Sequence, residues 1–179
     1  MSEYYTMKIA GLQRKLEKFP VSDKLDIAAF IIFGDVELTV KASEELLKKA
    51  PVFDFILTPE AKSIPIAYEM ARQSGKPYIV ARKGVKVYMR NPLEVTVTSI
   101  TTQKEQKLYL GETEVNLIKG KRVLIVDDVI STGESLSSVR ELVKKAGATE
   151  AAACAILAEG DAAERDDIIF LEKLPLFFK

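Results

Sequence analysis

The sequence contains no histidine, and only one cysteine among its 179 residues. Without imidazole, Ser-His-Asp and Cys-His nucleophilic sites are excluded, as are zinc sites with histidine ligands. One cysteine builds no intrachain disulfide framework. Cys154 lies in Ala151-Ala152-Ala153-Cys154-Ala155-Ile156-Leu157, where a thiol is expected to pack as a small hydrophobe rather than react. Chemistry is left to carboxylates, lysines, hydroxyls, backbone amides or a hard metal ion.

Net charge is missing as well: 26 Lys and Arg balance 26 Asp and Glu. No global field draws the chain onto nucleic acid or acidic membrane, so neither is an expected partner, although a local basic site is compatible with this balance. The longest apolar stretch, residues 27–33, is far shorter than the roughly 20 residues of a spanning helix. Met1-Ser2-Glu3-Tyr4-Tyr5 lacks the cationic start and apolar run of a secretory signal, and a cytoplasmic location is expected. With 47% hydrophobic and 29% charged residues, one domain over 1–179 with a substantial core is expected.

Apolar periodicity then orders the chain. Tyr5, Ile9, Leu12, Leu16 and Phe19 recur at helical spacing before Pro20, which predicts an N-terminal helix. Residues 25–33 read as a buried strand, and Val36, Val40, Leu47 and Ala50 as a helical face. Strands over 53–57, 77–81, 123–126 and 151–157 alternate with helices over 64–74 and around Leu136, Val139, Leu142 and Val143. Gly75 and Gly147 are placed to end those helices. Short apolar strands joined by amphipathic helices imply an α/β fold, a parallel sheet covered on both faces, with ligands at the carboxyl ends of its strands. Between 87 and 110 the pattern becomes a two-stranded excursion with a polar tip that includes Ser99, Thr101, Thr102 and Gln103.

The strongest chemical signal is Val123-Leu124-Ile125-Val126-Asp127-Asp128 followed by Ser131-Thr132-Gly133-Glu134-Ser135. Two carboxylates end a buried strand, and a hydroxyl-rich turn opens the next helix. The helix's first N–H groups, with the Ser131, Thr132 and Ser135 hydroxyls, suit a phosphate. Asp127 and Asp128 can accept from a sugar diol or hold a hard cation directly or through water. A plain N-cap by Ser131 or Thr132 accounts for one hydroxyl, but leaves an adjacent acid pair charged without a partner. Two cationic segments follow other strands. Leu57-Thr58-Pro59-Glu60-Ala61-Lys62-Ser63 ends at a helix start where Lys62 and loop amides can bind an anion, unless Lys62 is simply solvated. Arg82-Lys83-Gly84-Val85-Lys86 gathers three cations on the same side of the sheet, or forms a solvated face.

The 123–135 stretch resembles the phosphoribosyl-pyrophosphate (PRPP) motif of type I phosphoribosyltransferases, and the resemblance, which runs over most of the chain, is closest to the adenine phosphoribosyltransferase-like group. It implies that Ser131, Thr132, Gly133, Glu134 and Ser135 bind the 5'-phosphate, with Glu134 standing where related loops commonly have glycine. It implies that Asp127 and Asp128 are catalytic and engage the ribose hydroxyls and Mg2+. Lys62 and Ser63 fall in a segment similar to the family's pyrophosphate loop. Lys86 takes the role of a catalytic, pyrophosphate-binding lysine, with Arg82 nearer the base and Lys83 as a further substrate-binding residue. The 87–110 excursion is similar in position to the family's flexible lid. The implied activity is transfer of ribose 5-phosphate from PRPP to a purine, with adenine favoured, and the implied assembly is a homodimer. Xanthine or hypoxanthine/guanine transfer, and a non-catalytic PRPP-binding regulator, stand as alternatives.

Overall fold

The chain begins with antiparallel strands β1 (Tyr4–Ile9) and β2 (Leu12–Ser22), where the spacing predicts a helix. The two are joined by Ala10-Gly11, both at positive φ (49° and 82°), the conformation a two-residue hairpin turn requires. This computed structural model describes residues 3–98 and 105–179. Strand β3 (Leu25–Ala29) pairs with β2, and so the expected 25–33 strand belongs to this antiparallel sheet and is shorter. Phe30 is buried beyond its end, whereas Phe33 is 54% exposed.

Helix α1 (Val36–Lys49) is capped by Asp35, whose Oδ1 accepts the Leu38 N–H at 3.1 Å. Its core face is Leu38, Ala42, Ser43 and Leu46, so the face expected from Val36, Val40, Leu47 and Ala50 is rotated: Val36 and Val40 are exposed. Strand β4 (Phe55–Pro59) leads to α2 (Ile64–Ser74), which ends at Gly75 in the left-handed region, and then to β5 (Tyr78–Ala81). The excursion is hairpin β6 (Leu93–Thr98) and β7 (Glu105–Leu110); the polar tip residues Ser99, Thr101, Thr102 and Gln103 lie outside the described residues. After α3 (Glu112–Ile118) come β8 (Arg122–Ile130), α4 (Glu134–Lys145) and β9 (Thr149–Glu159). A short 3-10 turn then leads to β10 (Ile169–Leu174) and β11 (Phe177–Phe178), elements that periodicity does not reveal.

The central sheet is parallel throughout, in the order β10-β9-β8-β4-β5. A second sheet, antiparallel in the order β1-β2-β3-β11, is closed by the C-terminal residues, where Phe177 meets Tyr5 edge-on at 5.1 Å. Cys154 is fully buried in β9, and burial pushes its thiol up to about 12, in keeping with a packing role. Leu136, Val139, Leu142 and Val143 of α4 are buried as expected, and Val95, Leu108 and Leu110 of the hairpin join the same hydrophobic cluster. The hairpin stem is thereby seated on α4. Among the described residues no helix is long and apolar enough to cross a membrane.

Candidate active site

Strand order reverses between β4 and β8: one crossover runs from β8 through α4 to β9, the other from β4 through α2 to β5. At such a reversal the connections diverge and leave a crevice at the carboxyl ends of the strands. Asp128 sits there near the end of β8, which runs two residues beyond it, almost fully buried, and Lys62 reaches it from the loop after β4. Lys62 Nζ lies 3.0 Å from Asp128 Oδ2, while half of the lysine side chain stays exposed. That oxygen is buried and has no hydrogen-bond donor among the described residues, so the contact is electrostatic and leaves its lone pairs unsatisfied.

Asp127, half-buried beside it, accepts the Asp128 N–H at 2.9 Å. Burial, followed by the adjacent Asp128 charge, pushes the Asp127 carboxyl up to about 7. Such a pair favours an added cation or hydrogen-bond donors. Among the described residues no three His, Cys, Asp or Glu side chains form a metal cage, so a cation here would take its remaining ligands from substrate and water.

The loop from Ser131 to Ser135 bends from β8 into α4 around a cavity of about 140 Å³, lined by Asp127, Val129, Ile130, the loop residues, Leu136 and Gln106. Gly133 precedes the helix at φ 82°. A side chain there would be strained, and its Cβ would fall 2.5 Å from Arg165 Nη1. Glu134 opens α4, where an acid favours the helix dipole, and is one of the residues lining the cavity.

The other sequence-predicted residues gather across the crevice around Glu60. Its Oε2 accepts the Lys83 N–H at 2.9 Å, and its Oε1 lies 3.3 Å from Arg82 Nη2. The Lys83 N–H, then the charges of Arg82, Lys86 and Lys83, hold the Glu60 carboxyl below the usual range. Arg82 is further fixed by two backbone hydrogen bonds with Tyr109 of β7, at 2.9 and 2.8 Å. Ser63 is buried; its hydroxyl accepts from Thr58 Oγ1 and lies against the Pro59 carbonyl, and it also reaches the Asp127 carboxyl, where its hydrogen bonding opposes the upward push.

Asp127, Asp128, Lys62, Ser63 and the 131–135 loop thus share one crevice, and Arg82, Lys83 and Lys86 share Glu60. Two residues are missed by sequence reasoning. Glu60 could have been noticed as an acid between a strand end and a cation; Gln106, about 20 residues from the acid pair, carries no local signal.

A family model described as a phosphoribosyl transferase domain matches residues 37–175. The chain is 34% identical over 142 residues to a hypoxanthine/guanine phosphoribosyltransferase of Methanococcus voltae, covering 79% of this chain and 70% of that protein. It is 34% identical over 129 residues to the Methanocella arvoryzae protein of the same name, covering 72% of this chain and 61% of that protein. Among solved structures, the adenine phosphoribosyltransferase of Thermoanaerobacter pseudethanolicus superposes with a TM-score of 0.74 at 20% identity, covering 89% of this chain and 95% of that one. That of Rhodothermus marinus gives 0.66 at 17% identity, covering 96% and 94%.

Proposed function

The chain belongs to the phosphoribosyl transferase family, and from that premise we propose that it transfers ribose 5-phosphate from PRPP to a purine base, releasing pyrophosphate. The observation that carries this reading is the meeting, at the carboxyl ends of β4 and β8, of an acid pair, a phosphate-nest loop and a cationic loop. A purine nitrogen forms a bond to the anomeric carbon as the bond to pyrophosphate breaks, with positive charge building on the sugar and negative charge on the departing group, and the purine's ring N–H proton passes to water or a carboxylate. Lys62 and Lys86 neutralise the pyrophosphate, and the 131–135 loop holds the 5'-phosphate. Fixing both ends orients the ribose for in-line attack. Asp127 and Asp128 orient the ribose hydroxyls and would hold Mg2+ together with PRPP oxygens and water, the ion supplying charge neutralisation to the leaving pyrophosphate.

Fold likeness at 17–20% identity carries no information on the base. The relatives at 34% identity are named for hypoxanthine and guanine, which supports a 6-oxopurine acceptor ahead of the adenine implied by the motif resemblance. The working form is a homodimer. Val36, Val40, Pro65 and Tyr68 line an open apolar groove of about 420 Å³. Exposed apolar side chains gathered in one groove support a protein contact there. Because Pro65 lies in the first turn of α2, a second copy seated there adjoins the Lys62 loop.

The test is pyrophosphate release from PRPP and Mg2+, with hypoxanthine, guanine, adenine and xanthine supplied separately beside a no-base control. Release with one base names the acceptor; PRPP binding with no release for any base converts the reading to a regulator. Asp128→Asn is expected to weaken Mg2+-dependent PRPP binding on the order of tenfold while the fold persists. Unchanged affinity in calorimetric titration would remove Asp128 from the site.

A further inference from the structure

The hairpin brings one polar side chain into the phosphate cavity. Strand side chains alternate between faces, so Gln106 shares a face with Leu108 and Leu110 of β7. Those two leucines are buried in the cluster that also contains Leu136, Val139 and Leu142 of α4. Gln106 lies further along the same face, past the first turn of α4, where it lines the cavity formed by Asp127 and residues 131–136. At this position the sequence has an amide. Its side chain is exposed and makes no hydrogen bond to another described residue. Gln106 also lines the adjoining cavity of about 230 Å³ with Lys83 and Lys107. It therefore stands between the phosphate loop and the Arg82–Lys83 segment.

Resting on the proposed function, we propose that Gln106 is a substrate-binding residue, donating an amide N–H to the 5'-phosphate from the wall opposite the 131–135 loop. The chemistry fits the cavity. Asp127 and Glu134 line it, so a wall contact must donate to the phosphate without adding a further carboxylate, and an amide does so. The stem is seated on α4 by Val95, Leu108 and Leu110, and Gln106 is presented to the cavity from that packed stem.

The experiment uses calorimetric titration of the full chain with ribose 5-phosphate and, separately, with magnesium pyrophosphate. Gln106→Ala removes the donor, and Gln106→Glu keeps the size but places a carboxylate against the phosphate. Loss of one hydrogen bond corresponds to about a three- to tenfold weaker ribose 5-phosphate affinity for the alanine variant, and more for the glutamate. Pyrophosphate affinity is expected to stay within about twofold, and the KM for PRPP to rise with little change in kcat. Ribose 5-phosphate binding that is unchanged in both variants, or an equal loss for both ligands, overturns the assignment while leaving the phosphate nest intact. Wild-type protein that binds pyrophosphate but not ribose 5-phosphate overturns the nest and Gln106 together.

Discussion

Two carboxylates side by side at the end of a buried strand cost the fold energy, because each is desolvated and each repels the other. The upward push on the Asp127 carboxyl records that cost. Replacing the acid by its neutral isostere should relieve it: Asp127→Asn is expected to stabilise the protein by on the order of 1 kcal/mol, raising the melting midpoint by about 2–4 °C in chelator-containing buffer. The same variant should bind PRPP more weakly in the presence of Mg2+. A midpoint equal to or below wild type, read by scanning calorimetry, would mean that the pair is already compensated within the protein. At this scale the sequence exposes the acids and the hydroxyl loop because they are contiguous in Asp127-Asp128 and Ser131-Thr132. Glu60 and Gln106 escape it because their roles arise only when distant strands converge, Glu60 against Lys83 and Gln106 against the 131–135 loop.

The N-terminal elements show why a pattern can be legible and still be read in the wrong period. Spacings of four, Tyr5 to Ile9 and Leu12 to Leu16, satisfy both a helix and a strand, and only the alternation of Tyr5, Met7 and Ile9 with Thr6 and Lys8 separates them. The parallel strands are unambiguous by contrast, since continuous runs such as Val123-Leu124-Ile125-Val126 are buried on both faces. The misread hairpin is tied to α1 by Arg14 of β2, whose Nε and Nη2 reach Asp35 Oδ2 and Oδ1 at 2.6 and 2.9 Å. Arg14, chiefly by this hydrogen bonding, holds the Asp35 carboxyl below its usual range. The pair's contribution is therefore complete above about pH 4, where the unfolded chain is also ionised, and is lost as pH falls through the lower native value. Asp35→Asn keeps a cap oxygen for α1 but loses the ion pair, at an expected cost of about 1 kcal/mol at pH 7. Urea unfolding should show the gap to wild type shrinking below about pH 4; a pH-independent gap would mean that the ion pair does not set the cost.

For the molecule as a whole, the reversal between β4 and β8 explains why one sheet gathers groups that sequence separates: the acid pair lies near the end of β8 and the 131–135 loop follows it, and Lys62 follows β4. The same arrangement leaves α1 and α2 side by side, with the first turn of α2 directly after the Lys62 loop. Val36 is 72% exposed at the start of α1 and lines the groove between the two helices. If a second copy covers that groove, the native mass is twice 19.9 kDa. Val36→Asp tests this cleanly, because an acid in the first turn of a helix favours the dipole and the site is exposed, so the monomer fold should be unharmed. Light scattering after size-exclusion chromatography should then show dimeric wild type and a monomeric variant at micromolar concentration. A variant that stays dimeric places the interface elsewhere. A monomeric wild type with full turnover shows that one chain supplies the complete site.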